Sequence, residues 1–332
     1  MGTAASAALG KAEKLVIVEG QHSLSVRDVI LDTDLSAQDL KLILDLAEQV
    51  KVSPGAFAGA LQGKQLALIF EKPSLRTRVT FEVAMTSMGG YAVYLDHEKS
   101  RLGERESPQD IARNLERWVH GIAARTFMHE SVVELATHSS IPVINAMTDL
   151  AHPCQALADF FTLKEKFGGL KGLKIAFVGD GHSVCNSLMV TGAKLGVSVN
   201  VVTPPGYEPK AEVVMEARAC ARQSGAKVKL FHDALEAAAG AQAVYTDVWT
   251  GMGQEYSVYL RAQVFAPYQV TERLMAAADP SAVFMHCLPA HRGREVTPAV
   301  IDSSKSIVYD QAENRLHVQK ALLLLLMQDQ QY

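Results

Sequence analysis

The stretch Phe70-Glu71-Lys72-Pro73-Ser74-Leu75-Arg76-Thr77-Arg78-Val79-Thr80-Phe81-Glu82 runs from a strand end through a tight turn into a helix. Gln65 to Phe70 is apolar and of strand length, Pro73 ends it, Thr77 to Met88 reads as a helix, and Gly89-Gly90 supplies the stop. A helix N-terminus offers unpaired N–H groups and the positive end of a dipole, so it seats phosphate. Here the turn adds two hydroxyls (Ser74, Thr77) and two guanidiniums (Arg76, Arg78). Arginine grips phosphate through two parallel hydrogen bonds. The G-x-x-x-x-G-K of a nucleotide P-loop is missing, which favours a small phosphate ester or anhydride over ATP. On this stretch alone, a serine N-cap followed by solvated arginines remains the competing reading.

The same alternation of strand-length apolar strings with helical periodicity continues along the chain, the pattern of βαβ units and a parallel sheet. The expected class is therefore α/β. Asp34 to Val50 has helical apolar spacing with Thr33 or Asp34 as N-cap. A second set opens with the strand Lys174 to Val178, then Gly179-Asp180-Gly181, a helix to about Leu195 and a strand from Val197 to Thr203. Strand-like Ala243 to Asp247 and Ala282 to Leu288 follow, each ending in the polar or unusual residues that bind ligands in open α/β sheets. The expected boundaries are a loose extension over 1–22, a first domain over 23–150, a second over 151–313 entered by a connecting helix at 153–167, and a last helix within 314–332 folding back on the first domain.

The length of 332 residues suits two domains. With 48% hydrophobic and 20% charged residues, disordered, collagenous and coiled-coil classes are excluded. Net charge is −4, so no global basic field exists for nucleic acid or an anionic membrane, and any anion site is local. The longest apolar run, Ala321 to Met327, is far shorter than the roughly 18 residues that span a bilayer. Cys154, Cys185, Cys220 and Cys287 are far apart with no C-x-x-C, so neither a disulfide framework nor a zinc site is indicated, and a reducing cytoplasm is the expected location.

Ser74-Leu75-Arg76-Thr77-Arg78 resembles the carbamoyl phosphate motif S-x-R-T-R of the aspartate/ornithine transcarbamylase family. Four later blocks keep that family's order: Ala124-Arg125-Thr126, His152-Pro153-Cys154-Gln155, Asp247-Val248-Trp249-Thr250-Gly251-Met252-Gly253 and His286-Cys287-Leu288-Pro289. The last two, with Asn145-Ala146-Met147-Thr148-Asp149 and Glu313-Asn314-Arg315, resemble its ornithine branch.

The resemblance implies two doubly wound parallel-sheet domains, one for carbamoyl phosphate and one for the amino acid, with the site in the cleft between them. It implies transfer of the carbamoyl group to the side-chain amine of L-ornithine, giving L-citrulline and phosphate in arginine metabolism, with no cofactor and no metal. Such chemistry must neutralise a dianion, polarise a carbonyl and supply an unprotonated amine. By resemblance, Ser74, Leu75 through its N–H, Arg76, Thr77, Arg125 and Arg315 hold the phosphate or carbonyl. His152 and Gln155 hold the carbamoyl end, beside Cys287 and Leu288. Asp247, Ser183, Gly251 and Met252 face ornithine. Cys287, Arg125 and His152 are the catalytic candidates. Cys287 is the candidate proton acceptor, since His286, His291 and Arg292 nearby in sequence favour thiolate; Cys154 is expected only to pack. The family forms trimers, so Arg101, on the Ser100 to Glu106 loop, is expected to reach carbamoyl phosphate across a subunit boundary.

Three positions depart from the family's pattern: Gly251 replaces a serine, His182-Ser183 replaces two asparagines, and Arg101 replaces a glutamine. A pocket built to hydrogen-bond one substrate discriminates strongly, so the first two changes leave N-acetylornithine, N-succinylornithine and putrescine as alternative acceptors. A non-catalytic carbamoyl phosphate-binding paralogue is a further alternative. Dinucleotide binding at Gly179-Asp180-Gly181 is disfavoured, because Val184 takes the sixth position and no acidic residue ends the next strand.

Overall fold

The structure is a computed structural model that describes residues 23–97, 101–251 and 258–328. The 1–22 extension, Ser100, Met252 and residues 329–332 lie outside the described residues. Two sheets form, all of whose strand pairs are parallel. The first contains β1 (Gln65–Phe70), β2 (Tyr91–Asp96), β3 (Gly121–Arg125) and β4 (Val143–Met147) in the order β2-β1-β3-β4. The second contains β5 (Lys174–Val178), β6 (Ser198–Val202), β7 (Val228–Phe231), β8 (Ala243–Thr246) and β9 (Val283–His286) in the order β7-β6-β5-β8-β9. Parallel strands buried on both faces need apolar side chains throughout, as Leu66 to Phe70 and Ile175 to Val178 supply.

Helices cover both sheets: α1 (Ala37–Val52), α2 (Leu75–Ser87), α3 (Pro108–Leu115) and α4 (His129–Thr137) accompany the first. The connecting helix α5 (Pro153–Phe167) leads to α6 (Ser183–Lys194), α7 (Ala211–Ser224), α8 (Ala234–Ala238), α9 (Val258–Phe265), α10 (Glu272–Ala277), α11 (Pro298–Ile301) and α12 (Val308–Met327). The start of α1 differs from expectation. Ser36 is its N-cap, accepting from Asp39 N at 3.1 Å while the Asp39 side chain accepts from Ser36 N at 2.9 Å. This reciprocal box satisfies two end donors at once, and Asp34 instead accepts from Ile30 N and Leu31 N in the preceding turn.

Helix α12 begins at Val308, six residues before the expected Asn314, and packs on α1, α2, α5 and β9. Its leucine run is the core of this layer: Leu322 and Leu323 are fully buried, each contributing about 1.5–3 kcal/mol relative to exposure.

In each sheet the strand order reverses once, between β1 and β3 and between β5 and β8. Chains leaving adjacent strands there diverge to opposite faces, opening a crevice at the carboxyl ends.

Candidate active site

Both crevices open into one cleft of about 500 Å³, lined from the first sheet by Ser74, Arg76 and Arg125 and from the second by His182, Asp247 and Cys287. Ser74 follows β1 and caps α2: its Oγ accepts from Thr77 N at 3.4 Å, long enough for a ligand oxygen to replace it. Leu75 is the first helical residue and lines the cleft, although its side chain is exposed. Arg78 turns away, pairing with Glu82 and lying over the Tyr94 ring at 3.7 Å.

Arg76, Arg125 and Arg315 converge at this helix end, one each from α2, β3 and α12. Burial depresses all three, and repulsion between arginines adds to it for Arg125 and Arg315, whereas Cys287 and Asp247 partly offset it at Arg76; Arg125 is held down to about 10 by burial and by Arg315. Arg315 is anchored by Nη1 to Gln155 Oε1 at 2.6 Å and Nη2 to Thr77 Oγ1 at 3.1 Å. The Nε atoms of Arg125 and Arg315 and Nδ1 of His152 are buried without hydrogen-bond partners. Such concentrated positive charge, facing a helix N-terminus, suits a doubly charged anion.

His152 precedes α5 and is held by its backbone: its N–H donates to Ser187 Oγ at 2.8 Å, and that hydroxyl donates to Asp32 Oδ2 at 2.5 Å. Burial, then Arg315 and Arg125, push the imidazole well below its usual range. A neutral ring can donate one N–H to a carbonyl oxygen without adding charge. Gln155 sits in the first turn of α5 with its Nε2 donating to Asp159 Oδ1 at 2.8 Å.

On the opposite wall, Asp247 Oδ1 accepts from Cys287 Sγ at 3.0 Å and from Val248 N at 2.7 Å. Burial and Asp247 push the Cys287 thiol above its usual range, against the thiolate expected from the sequence, while Arg76 pulls it the other way. Its expected cationic neighbours face elsewhere, with His286 and His291 on Glu295 and Arg292 on Asp302. In this geometry the Cys287 thiol serves as a hydrogen-bond donor to Asp247. Asp247, His286 and Cys287 do bring one potential metal-ligand atom each within 4.8 Å, a grouping not expected from sequence. Within that group, His286 Nδ1 accepts from Leu288 N at 2.8 Å and Cys287 donates to Asp247, while His286 Nε2 lies 3.3 Å from Glu295 without a hydrogen-bond partner.

Met147 (φ 155°) and Leu288 (φ 55°) are the non-glycine residues of positive φ among the described residues, and both line this cleft. Backbone strain of this kind concentrates where a site dictates conformation. His182 and Gly251 also line the cleft. Ser183, the first residue of α6, is buried beside His182, whose Nε2 lies 3.7 Å from Asp180. Asp180 forms a buried ion pair with Arg261. The glycine turn has a packing explanation, since a Cβ on Gly181 would stand 2.3 Å from Pro209 N. Arg101 is placed elsewhere, in a second cavity with Val93, Leu95 and Trp118, its guanidinium 4.3 Å from the Phe127 ring. Cys154 is buried against Asn145 O, with its thiol pushed up to about 11 by burial.

Residues 27–165 match the family model described as "Aspartate/ornithine carbamoyltransferase, carbamoyl-P binding domain", and residues 171–326 match its "Asp/Orn binding domain". The chain belongs to the aspartate/ornithine carbamoyltransferase family. It is 50% identical over 307 residues to the ornithine carbamoyltransferase of Thermococcus kodakarensis, covering 92% of this chain and 98% of that protein. The ornithine carbamoyltransferase of Thermus thermophilus is likewise 50% identical, over 310 residues, 93% of this chain and 99% of that protein. The solved ornithine carbamoyltransferase from Pyrococcus furiosus superposes with a TM-score of 0.89 at 49% identity, covering 92% of this chain and 98% of that one.

Within this carbamoyltransferase fold, sequence reasoning missed the groups that stand behind the cleft. Glu71 is buried and accepts from Leu102 N at 2.8 Å and Phe127 N at 2.6 Å, tying the Arg101 loop to the segment after β3. Asp32 and Ser187 hold the His152 backbone from two distant parts of the chain. A carboxylate immediately after the apolar strand β1 is an unusual strand end, and that is the signal available for Glu71. For Asp32 and Ser187 the sequence carries none.

Proposed function

We propose that this protein catalyses carbamoyl transfer from carbamoyl phosphate to the side-chain amine of L-ornithine, producing L-citrulline and phosphate. One observation carries the residue roles: three guanidiniums gather on one wall, while Asp247 is the carboxylate lining the other. The dianion therefore seats on Ser74, Leu75 N–H, Arg76, Thr77, Arg125 and Arg315, and the cationic amino acid faces Asp247 with Ser183, Gly251 and Met252. His152 donates to the carbamoyl oxygen and Gln155 accepts from its NH2. Leu288 closes the cleft behind them.

In this account the side-chain ammonium first gives a proton to solvent, and the neutral amine then attacks the carbonyl carbon as the bond from that carbon to the phosphate oxygen breaks. The bond pair leaves with phosphate, which also takes the proton lost by nitrogen, so no protein base is consumed. Cys287 orients Asp247 and the amine. Positive charge fixed before reaction and close approach of the two substrates supply the catalysis.

The proposal extends to boundaries at 23–150 and 151–313, the remaining helix residues returning to the first domain, and to a cytoplasmic homotrimer. Exposed Leu75, Val79, Tyr91, Val93 and Trp118 on the α2, β2 and α3 side support a covered face there. Arg101, outside its own chain's cleft, would then serve a neighbouring one. No helix among the described residues is long and apolar enough to cross a membrane.

The test is carbamoyl transfer to L-ornithine, N-acetylornithine, N-succinylornithine, putrescine, L-lysine and L-aspartate, run also on H182N and G251S. Highest kcat/KM on L-ornithine supports the proposal; preference for another amine, reversed by either substitution, makes those positions the acceptor switch. No transfer to any of them refutes it.

A further inference from the structure

We infer that Asp159, buried behind both substrate walls and in contact with neither substrate, is a positioning residue that fixes the direction of two glutamine amides on which the two walls depend. Gln155 and Asp159 stand four residues apart on one face of α5, and Gln311 reaches the same carboxyl group from the first turn of α12. Gln155 Nε2 and Gln311 Nε2 donate to the same atom, Asp159 Oδ1, at 2.8 Å and 2.6 Å. All three side chains are buried.

A glutamine amide has two orientations of nearly equal shape, and only its hydrogen-bond partners choose between them. One shared acceptor makes that choice twice. With both nitrogens held at Asp159, both oxygens point outward. Gln155 Oε1 meets Arg315 Nη1 at 2.6 Å, and Arg315 continues to Thr77 at the start of α2. Gln311 Oε1 accepts from His286 N at 3.0 Å, immediately before Cys287. One arm thus sets the carbamoyl phosphate wall and the other sets the strand end that carries the amino-acid wall. Were Gln155 reversed, its NH2 would face the guanidinium of Arg315 and the NH2 of the carbamoyl group, donor against donor.

The groups facing Asp159 are Gln155 of α5, Gln311 and Arg315 of α12, and Tyr245 of β8, whose hydroxyl lies 3.2 Å from Gln311 Nε2. Burial raises the carboxyl to about 7. Its Oδ1 accepts in either protonation state, so the relay does not depend on a charge there.

The inference rests on the carbamoyl transfer proposed above, so wild-type kinetics with carbamoyl phosphate and L-ornithine accompany each variant. D159N retains an acceptor oxygen in the same shape, and all its constants are expected within about threefold of wild type. D159L keeps the shape and loses the acceptor, and its KM for carbamoyl phosphate is expected to rise at least about tenfold. Q311L cuts only the arm to His286; it is expected to change kcat or the KM for ornithine about tenfold, with the KM for carbamoyl phosphate within about twofold. A folded D159L with unchanged constants overturns the inference, as does a D159N as impaired as D159L. If D159L does not fold, a Q311L that matches wild type, or that loses both substrates equally, overturns it. An inactive wild type refutes the transfer itself and is distinguished by requiring no substitution.

Discussion

The Sγ of Cys287 donates a 3.0 Å hydrogen bond to Oδ1 of Asp247, so the thiol reads as a partner of the carboxylate. Burial and that carboxylate hold its proton in place through the neutral range. A serine hydroxyl makes the same bond. C287S is therefore expected to keep the wild-type shape of kcat against pH between about 6 and 9, with kcat lowered no more than about tenfold. C287A, which removes the donor, should raise the KM for ornithine further. Disappearance of one limb of the pH profile in C287S would instead make the sulfur a proton acceptor.

Three guanidiniums share one end of the cleft, and the anion that would neutralise them is a substrate. Arg125, held down to about 10, reflects that burial and crowding. R125M is expected to lower kcat/KM by about 10³ or more, as for the loss of one preorganised donor to developing charge. In the same variant the ligand-free protein should become more stable by about 1–3 kcal/mol, because a buried charge without a counter-ion is removed. Thermal unfolding without and with carbamoyl phosphate checks both halves: a ligand-free midpoint equal to or below wild type contradicts the crowding argument. In wild type, carbamoyl phosphate at about 100 times its Kd should add roughly 2.7 kcal/mol.

Three buried carboxyls, Asp32, Asp159 and Asp180, are raised above their ordinary range by burial, Asp159 to about 7. The unfolded chain titrates such a group near 3.9. The folded state binds the proton more tightly, so the stabilisation is complete below about 4 and is lost as pH rises through the folded values. Urea midpoints should therefore fall from pH 5 to pH 8 more steeply in wild type than in D159N, where that titration is absent. Parallel curves would show that Asp159 does not carry this dependence.

Elements whose ends are punctuated locally were legible: β1, β5 and α5 fall on the expected residues because Pro73, Gly179, Pro153 and Gly168 mark their limits. The start of α1 was misplaced, since Thr33, Asp34 and Ser36 are all plausible caps and only the reciprocal Ser36–Asp39 bonds decide. The cleft residues were legible where they sit in contiguous motifs at strand ends. The surroundings of Cys287 were not legible for a physical reason: residues adjacent in sequence were assigned to it as neighbours, but His286 and His291 both face Glu295 and Arg292 faces Asp302. The supporting layer of Asp159, Gln311, Asp32 and Ser187 was silent, because its meaning lies in contacts between α5, α6, α12 and the segment before α1.

Helix α12 packs against α1, from which it is separated by more than two hundred and fifty residues. During synthesis α1 emerges early, while its cover comes last, so Leu40, Ile43 and Ala47 stay open to water through most of translation. A ribosome stalled before Val308 would display that uncovered face and, lacking Arg315, an incomplete anion site. The cover of α1 and the anion site are thus completed late, when α12 brings its leucine run and Arg315 to the first domain.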